Sequence, residues 1–423
     1  AAAAAAAAAV AMGALPGRAS AEVSPGGASP PRLKGAPAVS SDRPLPGAEG
    51  SAASAQQAKV SLSAGLAAWM RAEDVSLGFS TYTYGKVFLV GPGLGGGSGP
   101  SISQCSFDKA MALSPTASGD LRISTAAAAY RLANALRESG GPFADARGAR
   151  WDRVLAPREA HFTGRVDAHE LVETPDGRVL AACTALNCVA QLDPASGSLS
   201  PVWMPPFLTA VRAEDCCHLN GFCMDPADPT KLAYATVVGP ADEKDGWRQH
   251  RAGGGQVWDC RTNTVVCAGL SMPHSPRMHE GKLWLLEAGT GWLGWVNMDA
   301  ATPEEAFVRH AWLPGFARGL RFSPSGAFAV VGLSMPRYSV FSDLPLGQEL
   351  ERRKAEPRCG VYVVDLRTGK PAHAVVVGGA IHELYDVAVL EGTGAPMVVG
   401  ASRPETERWI KIGDNATGRE VGA

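Results

Sequence analysis

An internal repeat constrains this chain more than any other feature. Several segments share one plan: a short apolar strand, a Pro/Gly/Asp turn, a second strand, then a third strand ending in Asp and a tight turn. One copy begins His169-Glu170-Leu171-Val172-Glu173-Thr174-Pro175-Asp176-Gly177 and closes at Leu192-Asp193-Pro194. Another begins Arg318-Gly319-Leu320-Arg321-Phe322-Ser323-Pro324 and closes at Val364-Asp365. The closing residues Asp193, Asp259, Asp299 and Asp365 lie 66, 40 and 66 positions apart. The short interval matches the roughly 40–50 residues of a four-stranded propeller blade. The long intervals call for insertions, and two stand out, 239–255 and 333–358, the second with a helix predicted around Leu346–Lys354. No amphipathic helix follows each strand, which argues against a TIM barrel or a doubly wound sheet.

Two more first strands, Phe107–Pro115 and Leu384–Leu390, bring the count to six. The predicted fold is therefore all-β: a six-bladed β-propeller over about 65–415. Its last blade is one strand short, and an N-terminal strand near Leu77–Tyr84 is expected to close the ring. The 49 Gly, 31 Pro and 19% charged residues suit many turns and short strands. Residues 1–60 contain no aromatic side chain and are expected to be a disordered leader.

Charge nearly cancels, with 39 Lys+Arg against 41 Asp+Glu, so no nucleic-acid partner is expected. The body has no apolar run long enough for a transmembrane helix. The nine cysteines form no C-x-x-C pair and no even framework, which favours a reducing, cytoplasmic setting. Ala19-Ser20-Ala21 leaves a targeting peptide open, and the Asn415-Ala416-Thr417 sequon would matter only on secretion. A monomer is expected.

Certain motifs are specific enough to compare with known sequences. Cys217-His218-Leu219-Asn220-Gly221, Gly269-Leu270-Ser271-Met272-Pro273-His274-Ser275-Pro276-Arg277, Leu286-Glu287-Ala288-Gly289-Thr290-Gly291 and Cys359-Gly360-Val361-Tyr362-Val363-Val364-Asp365 resemble a bacterial family catalogued only as a conserved hypothetical protein. Phe162-Thr163-Gly164 with Asp167 and His169 is similar too, and the resemblance covers about residues 75–400. It implies a propeller and supplies no catalytic residues.

The innermost strand of each blade lines the central channel. Counting six residues back from each turn proline puts Lys109, His169, Asn220 and Arg318 at one level. His274 is the candidate from the fourth blade, and Glu383 or Asp386 from the sixth. Both insertions join a second strand to a third, so they should overhang the mouth where this ring lies. Trp247 and Arg248 on the first, and Arg337 and Tyr338 on the second, are candidate lid contacts. Arg318 and Lys109 suit a small polar or anionic ligand. His169, His218 and His274 are the candidate ligands for a divalent metal, which would make the protein a metal-assisted hydrolase or lactonase. A protein-interaction scaffold is the third reading. Against each stands a structural role: a channel histidine can simply bond a carbonyl, and Arg318 or Lys109 can pair with Glu287 or Glu383.

Overall fold

The computed structural model describes residues 58–95, 99–137, 141–336, 344–401 and 409. Residues 1–57, most of the predicted leader, lie outside the described residues, as do Arg337, Tyr338 and all but the first residue of Trp409-Ile410-Lys411-Ile412, which the sequence offers as a further strand of the last blade. The chain forms a six-bladed β-propeller. Blade I is Leu113–Pro115, Leu121–Ser124, Ala128–Asn134 and Arg153–Phe162. Blade II is Ala168–Glu173, Val179–Cys183, Cys188–Leu192 and Leu199–Trp203. Blade III is Leu219–Met224, Leu232–Val237, Gly255–Asp259 and Thr264–Leu270. Blade IV is Pro273–His279, Lys282–Glu287, Trp292–Val296 and Phe307–Trp312. Blade V is Phe316–Phe322, Phe328–Ser334, Gly360–Asp365 and Lys370–Gly378.

Blade VI closes the ring and departs from expectation in its share of strands. The C-terminal side contributes only the innermost strand, Val387–Glu391. The N-terminal side contributes three, Val75–Thr81, Lys86–Gly91 and Ser101–Ser106. The apolar run Met397-Val398-Val399-Gly400, which the sequence offers as a later strand of that blade, instead gives a strand at Pro396–Val398 that runs parallel to the outer strand of blade I. Lys59–Leu62 likewise adds a fifth strand to blade V, so a strand begins within the last residues of the predicted leader. Each terminal strand covers an outer edge that would otherwise be open to pairing.

Apolar side chains at alternate positions fill the spaces between blades. Val361, Val363 and Val375 of blade V pack on Leu77, Phe79 and Val387 of blade VI. Leu180, Ala182 and Val189 of blade II pack on Leu219, Phe222 and Val237 of blade III.

Polar latches tie the second strand of one blade, or the residue after it, to the start of the next blade's inner strand. The hydroxyls of Ser80, Ser124, Thr184 and Ser334 donate to the backbone carbonyls of Met111, Ala168, Leu219 and Leu384, each in the next blade. All four hydroxyls are buried.

The tight turns after the third strands use one device. Asp193, Asp259 and Asp365 each accept the backbone N–H two residues on, at 3.0, 2.9 and 2.8 Å. In blade IV that place belongs to Asn297, which accepts from Asp299 at 3.2 Å. Asp299, expected as the closing residue there, is the recipient of the turn and not its origin.

Candidate functional site at the channel mouth

The inner strands of blades I to IV enter the channel through the same local geometry. Lys109, Asp167, His218 and Met272 all have a left-handed backbone, with φ of 48, 48, 52 and 51°. Two residues on from each stand Met111, His169, Asn220 and His274. Immediately after that level the pairing shifts register in blades II to V, between Ala168 and Leu171, Leu219 and Gly221, His274 and Arg277, and Arg318 and Leu320. A bulge repeated at one height bends each strand and re-aims its side chains.

This register corrects two positions of the expected ring. The turn proline lies two residues beyond the strand end in blades II, III and V, but Pro115 is itself the last strand residue of blade I. Counting back from it therefore lands on Lys109, two residues early, and Met111 holds the ring level. In blade VI the ring level is Tyr385, whose N–H bonds Ser80 O just as Met111 N–H bonds Ser124 O. Glu383 lies two residues before it and Asp386 one after. No turn proline follows that strand, so the count had no anchor there.

The ring residues come together with the lid. The His169 ring meets His218 edge-on at 5.1 Å and Tyr385 at 5.2 Å. Arg318 stacks its guanidinium on Tyr385 at 4.5 Å and pairs with Glu383 at 3.5 Å. Phe316 joins Arg318 to His274, at 5.5 Å from each. Lys109 reaches the edge of the group through Tyr82, which lies 5.4 Å from Tyr385. From the first insertion, Trp247 lies against His218 at 4.2 Å. It packs with Met272, Phe316 and Leu344, the last at the foot of the second insertion. Arg248 is carried outward, stacked on Trp247 and paired with Asp245.

The three imidazoles share one tautomer. His169 Nδ1 is 2.8 Å from Asp167 O and His274 Nδ1 is 2.9 Å from Met272 O. A carbonyl only accepts, so each Nδ1 carries the proton. The Thr184 hydroxyl spends its hydrogen on Leu219 O and so accepts from His169 Nδ1, at 2.7 Å. His218 Nδ1 donates to Asp215 Oδ2 at 2.7 Å, and its backbone N–H donates to Oδ1 at 3.0 Å. In a neutral ring with the proton on Nδ1, Nε2 is the acceptor. Burial, reinforced by nearby Arg318 and His218, holds His169 and His274 well below the ordinary histidine range, so both are neutral.

Several buried polar atoms here have no protein partner: His274 Nε2, Asn220 Nδ2 and Trp247 Nε1. Asn220 Oδ1 is engaged by Thr236, which leaves the amide as a spare donor. Among the described residues no group of three or more His, Cys, Asp or Glu is placed to hold a metal ion. His169, His218 and His274 share the mouth without converging on one point.

Below the mouth lies a network that the sequence reading missed. Arg277 grips Glu170 with Nη2 at 2.8 and 2.7 Å. Arg321 bridges Glu170 and Asp386, at 3.5 Å from each, and donates to Leu113 O at 2.8 Å. Asp386 accepts from Leu113 N and Val387 N, both at 2.8 Å. Arg277 also donates to Leu320 O and Phe222 O. Every blade supplies a member. Gly319 makes room: a Cβ there would meet Asp386 Oδ1 at 2.8 Å, and its φ of +72° suits glycine.

Residues 64–399 match the family described as "Domain of unknown function (DUF4915)". The chain belongs to this family. No curated protein matches it. The DUF4915 chain is similar to a solved structure of the nidogen/laminin complex, at 12% identity over 75% of this chain and 99% of that one, with a TM-score of 0.45. It is similar to a functionally unknown protein from Desulfotomaculum acetoxidans, at 10% identity over 75% and 99%, TM-score 0.40. A protein provisionally named a gluconolactonase matches at 12% identity over 65% and 90%, TM-score 0.37. Likenesses this loose carry no functional argument. No helix among the described residues is long and apolar enough to cross a membrane.

Proposed function

We propose that this propeller binds a small, hydroxyl-bearing anion in the mouth of its channel. The carrying observation is the set of buried polar atoms without partners, His274 Nε2, Asn220 Nδ2 and Trp247 Nε1. Buried polar groups are almost always paired, and an orphan costs about 1–3 kcal/mol. A ligand that pairs them recovers that cost. The chemistry of the group supports the ligand class. The neutral imidazoles of His169 and His274 accept from hydroxyls. Asn220 and Trp247 donate to oxygen. Arg318 supplies positive charge in a buried setting, where a charge-assisted bond is worth about 1.5–3 kcal/mol.

A thermal-shift and calorimetric screen with gluconate, citrate and inorganic phosphate tests this on wild type and Arg318→Met. The expected result is stabilisation of wild type by a hydroxy acid, with affinity for it falling ten- to over a hundredfold in the variant. Absence of binding by all three at millimolar concentration, or equal binding by both proteins, would overturn the reading.

A metal centre on His169, His218 and His274 is the second reading. It draws on the shared tautomer, since a ligating histidine commonly donates its other N–H to a carbonyl or carboxylate. It requires those side chains to move together. Metal analysis of protein purified without chelator separates the two.

A further inference from the structure

We infer that Asp215 and His218 form a general-base dyad that activates water for hydrolysis of a carboxylic ester or lactone of a polyhydroxy acid. The inference rests on the mouth being a ligand site, as proposed above, and adds a reaction to it. Asp215 holds His218 at two points, Oδ2 on Nδ1 at 2.7 Å and Oδ1 on the backbone N–H at 3.0 Å. The carboxylate fixes the tautomer and stabilises the imidazolium that forms when Nε2 takes a proton. Trp247 and His169 wall the ring on two sides and so restrict its rotation. The His218 side chain keeps 13% of its surface open, so water can reach it, whereas His274 is closed off. The two histidines differ in role for that reason.

The loop beneath is built to hold this pair. Asn187, buried and left-handed, accepts the N–H groups of Cys216 and Cys217 at 2.8 and 3.0 Å and donates to Glu214 O. It therefore clamps the turn that carries Asp215 and His218. Two residues on, the spare Asn220 amide is a donor for a developing oxyanion. Arg318 suits the carboxylate that the reaction releases.

The step balances without a co-reactant. Water oxygen attacks the acyl carbon while its proton passes to His218 Nε2. The tetrahedral oxyanion collapses, the acyl C–O bond breaks, and the imidazolium returns the proton to the departing alkoxide. The products are a hydroxy acid, which ionises to its carboxylate, and the alcohol; in a lactone both are one molecule.

The test uses the full chain, with EDTA present, on glucono-δ-lactone and p-nitrophenyl acetate, beside gluconate binding as an independent readout. Wild type is expected to turn over at least one substrate above the uncatalysed rate. His218→Gln should lose at least a hundredfold in kcat while gluconate affinity stays within threefold. For Asp215→Asn, a positioning variant, kcat should fall with KM unchanged and the pH–rate profile displaced. Gluconate binding with no turnover of either substrate by wild type would overturn the dyad and leave the binding site standing. Turnover that survives His218→Gln would equally overturn it. Loss of gluconate binding from wild type would instead remove the reading on which the dyad rests.

Discussion

Two levels of one channel, a few residues apart on the same strands, solve opposite problems. At the lower level Glu170, Asp386, Arg277 and Arg321 balance two negative charges with two positive ones, and backbone groups bond much of what remains. At the mouth, His274, Asn220 and Trp247 keep polar atoms buried and unpaired. The lower network joins all six blades. On the reading proposed above, a ligand supplies the pairing that the protein leaves open at the mouth.

The largest expected effect breaks the lower level. Arg277→Met leaves Glu170 buried without its main partner and should destabilise the fold by about 3–5 kcal/mol in urea unfolding. Pairing it with Glu170→Met should restore most of the loss. A loss below 1 kcal/mol would show that the network does not hold the ring.

At the mouth, Arg318→Met leaves buried Glu383 without its cationic partner and should itself cost stability, so binding is read on the double variant Arg318→Met/Glu383→Gln, which should hold the fold and weaken hydroxy-acid binding by about 1.5–3 kcal/mol by calorimetry. A smaller effect separates the levels by pH. His274 is held neutral in the fold and is free to protonate in the unfolded chain at its ordinary pKa near 6.5. Its contribution is therefore complete above pH 6.5 and is lost as pH falls toward its depressed folded pKa, by up to about 1.4 kcal/mol per pH unit. His274→Gln should flatten that part of the stability profile. Asp386 opposes this trend, since burial raises its carboxyl to about 6. Its contribution is complete below the unfolded value near 3.9 and is lost as pH rises through the folded one. Asp386→Asn should therefore steepen the acid loss between pH 6 and 4. The smallest effect is at a latch: Ser124→Ala should cost about 0.5–1.5 kcal/mol and leave binding unchanged.

Much of the ring was legible in the sequence because each blade repeats a turn signal. Pro175, Pro226 and Pro324 stand at equivalent places and located His169, Asn220 and Arg318. Where the signal moved, the reading slipped: Pro115 pointed to Lys109 when Met111 holds the level. Blade VI has no such proline, and its ring residue, Tyr385, was passed over for its acidic neighbours. Asp215 and Thr184 were invisible for another reason. Each acts through a hydrogen bond to a histidine, and a lone Asp or Thr in a loop carries no periodic pattern. Arg277 and Arg321 looked like ordinary strand residues because their acidic partners lie over 60 residues away in other blades. The share of strands in blade VI rests on the pairing of Val75–Thr81 with Val387–Glu391, a long-range contact that local pattern does not encode.

The central claim is that the mouth trades stability for ligand binding, and His274→Phe tests it most directly. The substitution removes the orphaned Nε2 and keeps a ring against Phe316. Equilibrium unfolding at pH 7, alongside gluconate titration, is the measurement. The account predicts a fold at least as stable as wild type, with gluconate binding weakened tenfold or more. A fold weakened by several kcal/mol with binding unchanged would contradict it.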